Sequence, residues 1–468
     1  MGLGRNLLKG TKARTLYLLH NNLHRTLTGD VARATVDMLP DVALLEIFDF
    51  YVDDALTEAW HTLVHVCRKW RNVIFGSPLR LNLLLSCDAR TPVKETIDVW
   101  PLLPILVWGH GHEKWGVDNI IGALEHNDRI PQLDLDNLPS SQMEKVLAAM
   151  RQPFTALEVL YLKSRSETVV VPASFLGGSA PQLQELCLTS IPFPGLPKLL
   201  LSATHLVELR LNEIPHSGYF SPEAMVTGLS AMTRLKCLEI VFESPRSRPD
   251  RRRRPPPLTR TLLPTLTCFE FKGVSEYLDD LVAWIDAPLL DYFDATFFHQ
   301  LIFDTPQLAQ FISRTPNLRA GDSAHVEFSG RRVWVASWNS AFTLAISCSQ
   351  SDWQLLSLAQ IWSSIFIHTM KRVRIFQDSS LRWQDDIETS QWLELLHAFT
   401  AVKSLHISPG FTPNIVPTLQ ELVGERVIEV LPALQTLFLG VSAQESIRKF
   451  ITARELASFP IAVSYWTS

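Results

Sequence analysis

The sequence predicts an α/β protein: a solenoid of parallel strands alternating with helices, preceded by a small all-α domain. Two patterns predict it. Between residues 130 and 441 a triplet written apolar-x-x-apolar-x-apolar recurs about every 30 positions, and ahead of it, at 38–76, stand two amphipathic helical patterns. The composition agrees. With 468 residues, 46% hydrophobic, 19% charged and a formal net charge of -5, the chain can bury a sizeable core and is neither disordered nor fibrous.

Residues 1–36 are basic and unpatterned, which predicts a flexible arm. Order is expected to start at Leu39-Pro40-Asp41, where proline fixes an extended entry and Asp41 can cap a helix carrying Leu44, Leu45, Ile47, Phe48 and Tyr51. Trp60, Leu63, Cys67, Trp70 and Ile74 then recur at steps of three and four. That spacing puts them on one face of a single helix ending near Gly76-Ser77-Pro78. Domain limits follow at 37–85 for the helical domain and 86–129 for a connecting segment, with the solenoid over 130–441 and a cap over 442–468.

Within the solenoid, seven triplets run from Ile130/Leu133/Leu135 to Leu290/Phe293/Ala295, and three more from Met370/Val373/Ile375 to Leu434/Leu437/Leu439. Ala324/Val326/Phe328 is a weaker member, and Phe342–Cys348 a further candidate strand. Helical spacing fills the gaps at Ser141–Met150, Pro306–Thr315 and Ser390–Phe399. This is the pattern of a leucine-rich solenoid, in which each unit hides its neighbour's apolar face. Leu138-Pro139, Ile191-Pro192 and Ile214-Pro215 fall in equivalent places after the triplet. The asparagine or cysteine that usually pairs the backbone there is missing, so irregular turns are expected. A last unit needs a cap, which helical Ser442–Leu456 and the run Ile461–Trp466 can supply. The stretch 243–257, with six arginines and five prolines, is expected to be a disordered excursion.

The strings LPDVALLEIFDFYV and WHTLVHVCRKWRNVIFGSP resemble an F-box, whose signature is Leu-Pro, an apolar helix with Ile-Phe, and a later Leu-x-x-Val-Cys-x-x-Trp. LRLNLLL, TPVKETIDVWPLLPILV and KFITARELASFPIAV are similar to the large fungal family of F-box proteins with a leucine-rich-repeat-like remainder. The resemblance implies docking on the Skp-type linker of a cullin-RING (SCF) ubiquitin ligase through Leu39, Pro40, Ile47, Val66, Cys67 and Trp70. It also implies an unidentified protein substrate on the repeats, and an adaptor without catalysis. A repeat scaffold working outside an SCF complex is the alternative.

Other chemistry finds little footing. His61 and His65 are a helical turn apart, but the glutamate of a zinc-peptidase helix and a third ligand are missing, and His110-Gly111-His112 is no better placed. Cys67 lies on the apolar stripe, which suits a packing residue more than a nucleophile. The carboxylate pairs Asp53-Asp54, Asp279-Asp280 and Asp385-Asp386 point their neighbours apart, and no phosphate or dinucleotide loop occurs, so no enzyme, cofactor or metal is expected. Arg251–Arg254 could meet nucleic acid or an import receptor. Without interleaved aromatics, in an acidic chain, it reads as a solvated loop. No apolar run reaches membrane-spanning length, no export signal stands out, and six widely spaced cysteines suit the reducing cytosol or nucleus.

Overall fold

The structure, a computed structural model, describes residues 39–466 apart from 55–58, 77–82, 88–92, 100–101, 103, 110–115, 166–168, 250–258, 301, 320, 338–340, 349, 367–369, 379–387, 423 and 425. The expectations for residues 1–36, His110-Gly111-His112, Arg251–Arg254 and Asp385-Asp386 lie outside the described residues. The chain divides into two compact units, Met1–Leu84 and Leu85–Ser468.

The first unit holds α1 (Asp41–Asp54), α2 (Ala59–Val66) and α3 (Arg68–Gly76). The single helix expected over Trp60–Ile74 is thus two, broken at Cys67. The reason is the core. On one straight helix Val64 and Val73, nine positions apart, would fall on opposite sides at about 3.6 residues per turn, yet both are buried, and the break lets each helix turn its buried residues toward α1. Cys67 starts the second helix: its carbonyl accepts the Arg71 N–H at 3.1 Å and its sulfur the Trp70 N–H at 3.4 Å. Arg71 Nε in turn donates to the Val64 carbonyl at the end of α2, 3.0 Å away.

The second unit is a mixed α/β, solenoid-like fold on a sixteen-stranded sheet. Its strands are β1 (Leu83–Ser86), β2 (Ile105–Gly109), β3 (Gln132–Leu138), β4 (Val159–Ser164), β5 (Glu185–Thr189), β6 (Glu208–Ile214) and β7 (Cys237–Phe242). A two-residue strand, β8 (Thr261–Leu262), precedes β9 (Cys268–Gly273). It pairs with β10 (Ile285–Asp286) in a separate small sheet, ahead of β11 (Tyr292–Phe298). Then come β12 (Ser323–Phe328), β13 (Arg332–Ser337), β14 (Phe342–Ser347), β15 (Arg372–Gln377), β16 (Ser404–Ile407), β17 (Thr436–Gly440) and β18 (Ala462–Trp466). Residues 86–129, expected only to connect, contribute β2 and the helices Val93–Val99 and Val117–Leu124 to this unit.

All the triplets named from the sequence are buried, and their middle residues stand in register: Leu133, Leu160, Leu186, Leu209, Leu238, Phe269 and Phe293 lie side by side. A backbone relay sets that register. The Pro131 carbonyl accepts the N–H groups of both Glu158 and Val159 (2.8 and 2.9 Å), and the carbonyls of Glu158, Gln184, Val207, Lys236 and Thr267 do the same for each next unit. The residue before each aliphatic-proline pair is left-handed: Asn137 (φ 62), Ser190 (φ 58) and Glu213 (φ 51). This turns the chain off the strand.

The parallel order breaks once. The sheet runs from β11 to β14, β13 and β12, and only then to β15, with β13 antiparallel to both neighbours. The solenoid expected to be parallel throughout therefore contains a three-stranded meander. Three residues separate β12 from β13, too few for a crossover to a parallel strand, so the chain must turn back; the Ser329 N–H donates to the Arg332 carbonyl at 2.8 Å. The relay stops at Thr267 and restarts at Asp322. Ala324, not Val326, stands opposite Val373, which shifts the weak triplet by two positions from its expected frame.

Side chains of several kinds tie the turns in place of an asparagine ladder. Thr265 Oγ1 donates to the Leu235 carbonyl at 2.9 Å, the Phe303 N–H to Gln360 Oε1 at 3.0 Å, and Arg314 to Asp286 and the carbonyls of Val282 and Ile285. Of the loop expected to be disordered over 243–257, the described part is a turn in which Ser247 is buried and its N–H meets the Ser244 carbonyl. At the end of the chain, β18 pairs parallel with β17 and the helix Arg448–Leu456 contributes Arg454 to the interior. Arg454 is 1% exposed and donates to the carbonyls of Phe459, Val427, Leu431 and Leu434 at 3.0–3.4 Å, and burial lowers its pKa.

Two predictions follow from these ties. Arg454→Met leaves up to four carbonyls short of a donor, at about 1–3 kcal/mol for each group that finds no water. We expect the C-terminal units to melt first, seen as new hydrogen exchange over 426–466; exchange equal to that of the parent chain contradicts the assignment. The other concerns Asp279, which accepts the Leu308 N–H at 2.8 Å. Burial pushes its carboxyl up to about 7, held back by the backbone N–H groups of Leu308 and Gln307. The folded chain therefore binds this proton more tightly than the unfolded one. Stability should fall as pH rises from about 4 to about 7. Asp279→Asn should gain on the parent chain in urea unfolding at pH 8 relative to pH 5, and an equal difference at both values would rule this out.

Candidate partner-binding site

In the helical unit the six residues singled out from the sequence divide into two groups. Pro40, Ile47 and Val66 are exposed, the last two at 45% and 55%. Leu39, Cys67 and Trp70 are half-buried and hold the unit together. The Leu39 carbonyl accepts Lys69 Nζ at 2.8 Å, which also reaches Asp41 at 3.9 Å and so fastens the start of α1 to α3. Trp70 lies against Phe48 with ring centroids 4.8 Å apart, and its buried indole N–H has no hydrogen-bond partner among the described residues. Sequence reasoning missed two further exposed apolar residues, Val42 (66%) and Phe75 (42%). Their signal was visible, since both fall off the apolar stripe yet carry no polar group.

In the sheet unit the face opposite the triplets is half-exposed and carries the alternate residues of each strand. Its two halves differ in charge. Toward β3, Trp108 Nε1 donates to Asp134 at 2.9 Å, the Tyr161 hydroxyl to Glu185, and Arg210 to Glu208 at 2.8 Å. Glu239, Glu270 and Asp294 then stand directly opposite one another on β7, β9 and β11. Burial first, and Glu270 next, raise the pKa values of Glu239 and Asp294, with Arg332 opposing the shift at Asp294.

From the meander onward the face turns aromatic, with Arg332, Arg372 and Arg374 among the rings. His325 is stacked with Trp334 (5.1 Å) and Phe376 (4.6 Å), and His406 lies on Phe438 (3.9 Å). Burial lowers the pKa of His325 against the pull of Glu327. Small residues on β13 and β14, Ala336, Thr343 and Ala345, floor a depression of about 460 Å³ between Asp294 on one side and Trp334 with His325 on the other. A carboxylate, a guanidinium and an aromatic wall around a small-residue floor can grip a side chain of a partner by charge and stacking. None of these residues was singled out from the sequence, because they meet only across β11, β14, β13 and β12, an order set by β13, which is not among the expected strands.

Among the described residues no group of three or more His, Cys, Asp or Glu side chains could hold a metal ion, and no helix is long and apolar enough to cross a membrane. No protein-family model matches the chain, and no curated protein matches it.

The packing of Trp70 on Phe48 yields a direct test. Trp70→Ala should cost about 3 kcal/mol, near the lower end for truncating a large aromatic, and unfold the helical unit while the sheet unit keeps its melting transition. Loss of both transitions together would mean that the two units do not fold separately.

Proposed function

We propose that the protein is a substrate-recognition adaptor. Its helical unit docks on the Skp-type linker of an SCF ubiquitin ligase, and its sheet unit holds the protein to be ubiquitinated. The observation that carries the reading is the exposure of Pro40, Ile47 and Val66, three positions of the F-box-like pattern, on a unit whose core is already filled by Leu44, Phe48, Leu63 and Ile74. Apolar side chains held outside a filled core favour a partner that covers them.

The adaptor performs no bond chemistry. It raises the effective concentration of a substrate lysine beside the charged conjugating enzyme, and its own residues supply only affinity and geometry. Pro40, Ile47 and Val66 provide the covered apolar area. Leu39, Cys67 and Trp70 keep the helices that present it in place. The substrate is gripped on the open sheet face, at the depression beside Trp334 and Asp294.

The test is capture of purified linker and cullin by the full chain. Ile47→Asp with Val66→Asp should abolish capture while the helical unit keeps its circular dichroism, because both positions are exposed. Undiminished capture by the folded double variant would overturn the reading, and so would failure of the parent chain to capture the linker.

A further inference from the structure

Cys237 and Cys268 open two neighbouring parallel strands, β7 and β9, and stand directly opposite one another in their register. Adjacent strands bring such Cα atoms to about 4.8 Å, inside the 4.4–6.8 Å range that a disulfide spans. Both are free and half-exposed on the open face, so a small oxidant can reach them. Cys187, the other cysteine of this face, faces Tyr161 and Arg210 and has no thiol beside it. The surroundings are unequal. A hydrogen bond from the Cys268 thiol, then the Arg210 guanidinium, favour the Cys237 thiolate against its burial, while the Cys268 Sγ lies 4.0 Å from Glu270 Oε1.

We propose that Cys237 and Cys268 form an oxidisable dithiol that takes a hydroperoxide and closes to a cross-strand disulfide. The Cys237 thiolate attacks one peroxide oxygen; an S–O bond forms, the O–O bond breaks, and with hydrogen peroxide the leaving hydroxide takes a proton from solvent and departs as water. Cys268 then attacks the Cys237 sulfenic acid. The S–S bond forms, the S–O bond breaks, and the hydroxide leaves as a second water. The proton of Cys268 passes to Glu270 and from there to solvent. Two thiols give up two electrons and the peroxide takes them. The bond clips together β7 and β9, the two repeat strands that flank the arginine-rich stretch of the sequence.

The inference concerns the sheet unit alone and stands whether or not the helical unit binds a linker. Reduced full-length protein is treated with a small excess of hydrogen peroxide, alkylated, digested without reductant and read by mass spectrometry. We expect one linked peptide pair, Cys237 to Cys268. Cys268→Ser should replace it with a dimedone-trapped sulfenic acid at Cys237, and Glu270→Gln should slow closure several-fold and let that sulfenic acid accumulate. Oxidation scattered over the six cysteines without the 237–268 link overturns the proposal. So does a link that forms as fast in urea as in the folded chain, since the register would then play no part.

Discussion

In the sheet unit, one carbonyl per repeat accepts two N–H groups of the next, and nearly everything else follows from that shared acceptor. It fixes the register, and the register puts each triplet beside its neighbours. A slip by one residue would send the triplets to the polar face. Because the tie is made by backbone, it constrains no side chain, and the repeats are free to lose the asparagine that sequence-level patterns look for. The turns are then held by whatever donor is in reach, such as Thr265, Arg314 or Arg454. That is why the repeats are degenerate in sequence and regular in register.

The relay also explains where the open face gains relief. It is interrupted at the meander, where β12, β13 and β14 take the place of a strand-helix unit. There Trp334 and His325 rise beside Ala336, Thr343 and Ala345, and the face passes from carboxylates to arginine and aromatic rings. A uniform ladder would give a flat surface. The break supplies the relief on which a partner can be recognised.

The triplets were legible because burial of one face every other residue leaves a mark that survives degeneracy. Phe342–Cys348 was legible as a strand for the same reason. Its partner β13 is not, since Trp334 is apolar on the outward face while Ala336 and the polar Ser337 are both buried, which blurs the alternation. Alternation over Ala324, Val326 and Phe328 offers three apolar residues, so it does not fix the frame, and the register pairs Ala324 with Val373 and Phe328 with Gln377. In the helical unit, steps of three and four mark Leu63 and Ile74 but not the buried Val64 and Val73, which would oppose one another on a single straight helix and so require the break at Cys67. Spacing could not separate Ile47 and Val66, which face outward, from Trp70, which faces Phe48. The two thiols Cys237 and Cys268, 31 positions apart in sequence, are neighbours only once the register is known.

The adaptor reading joins two units with separate cores, one spending apolar residues on its exterior and the other offering a sculpted polar face. Hydrogen exchange of the full chain with and without purified Skp-type linker tests that division most directly. The account predicts strong protection within residues 39–76 and no change along the sheet unit. No protection in the helical unit, or protection confined to the sheet, would contradict it.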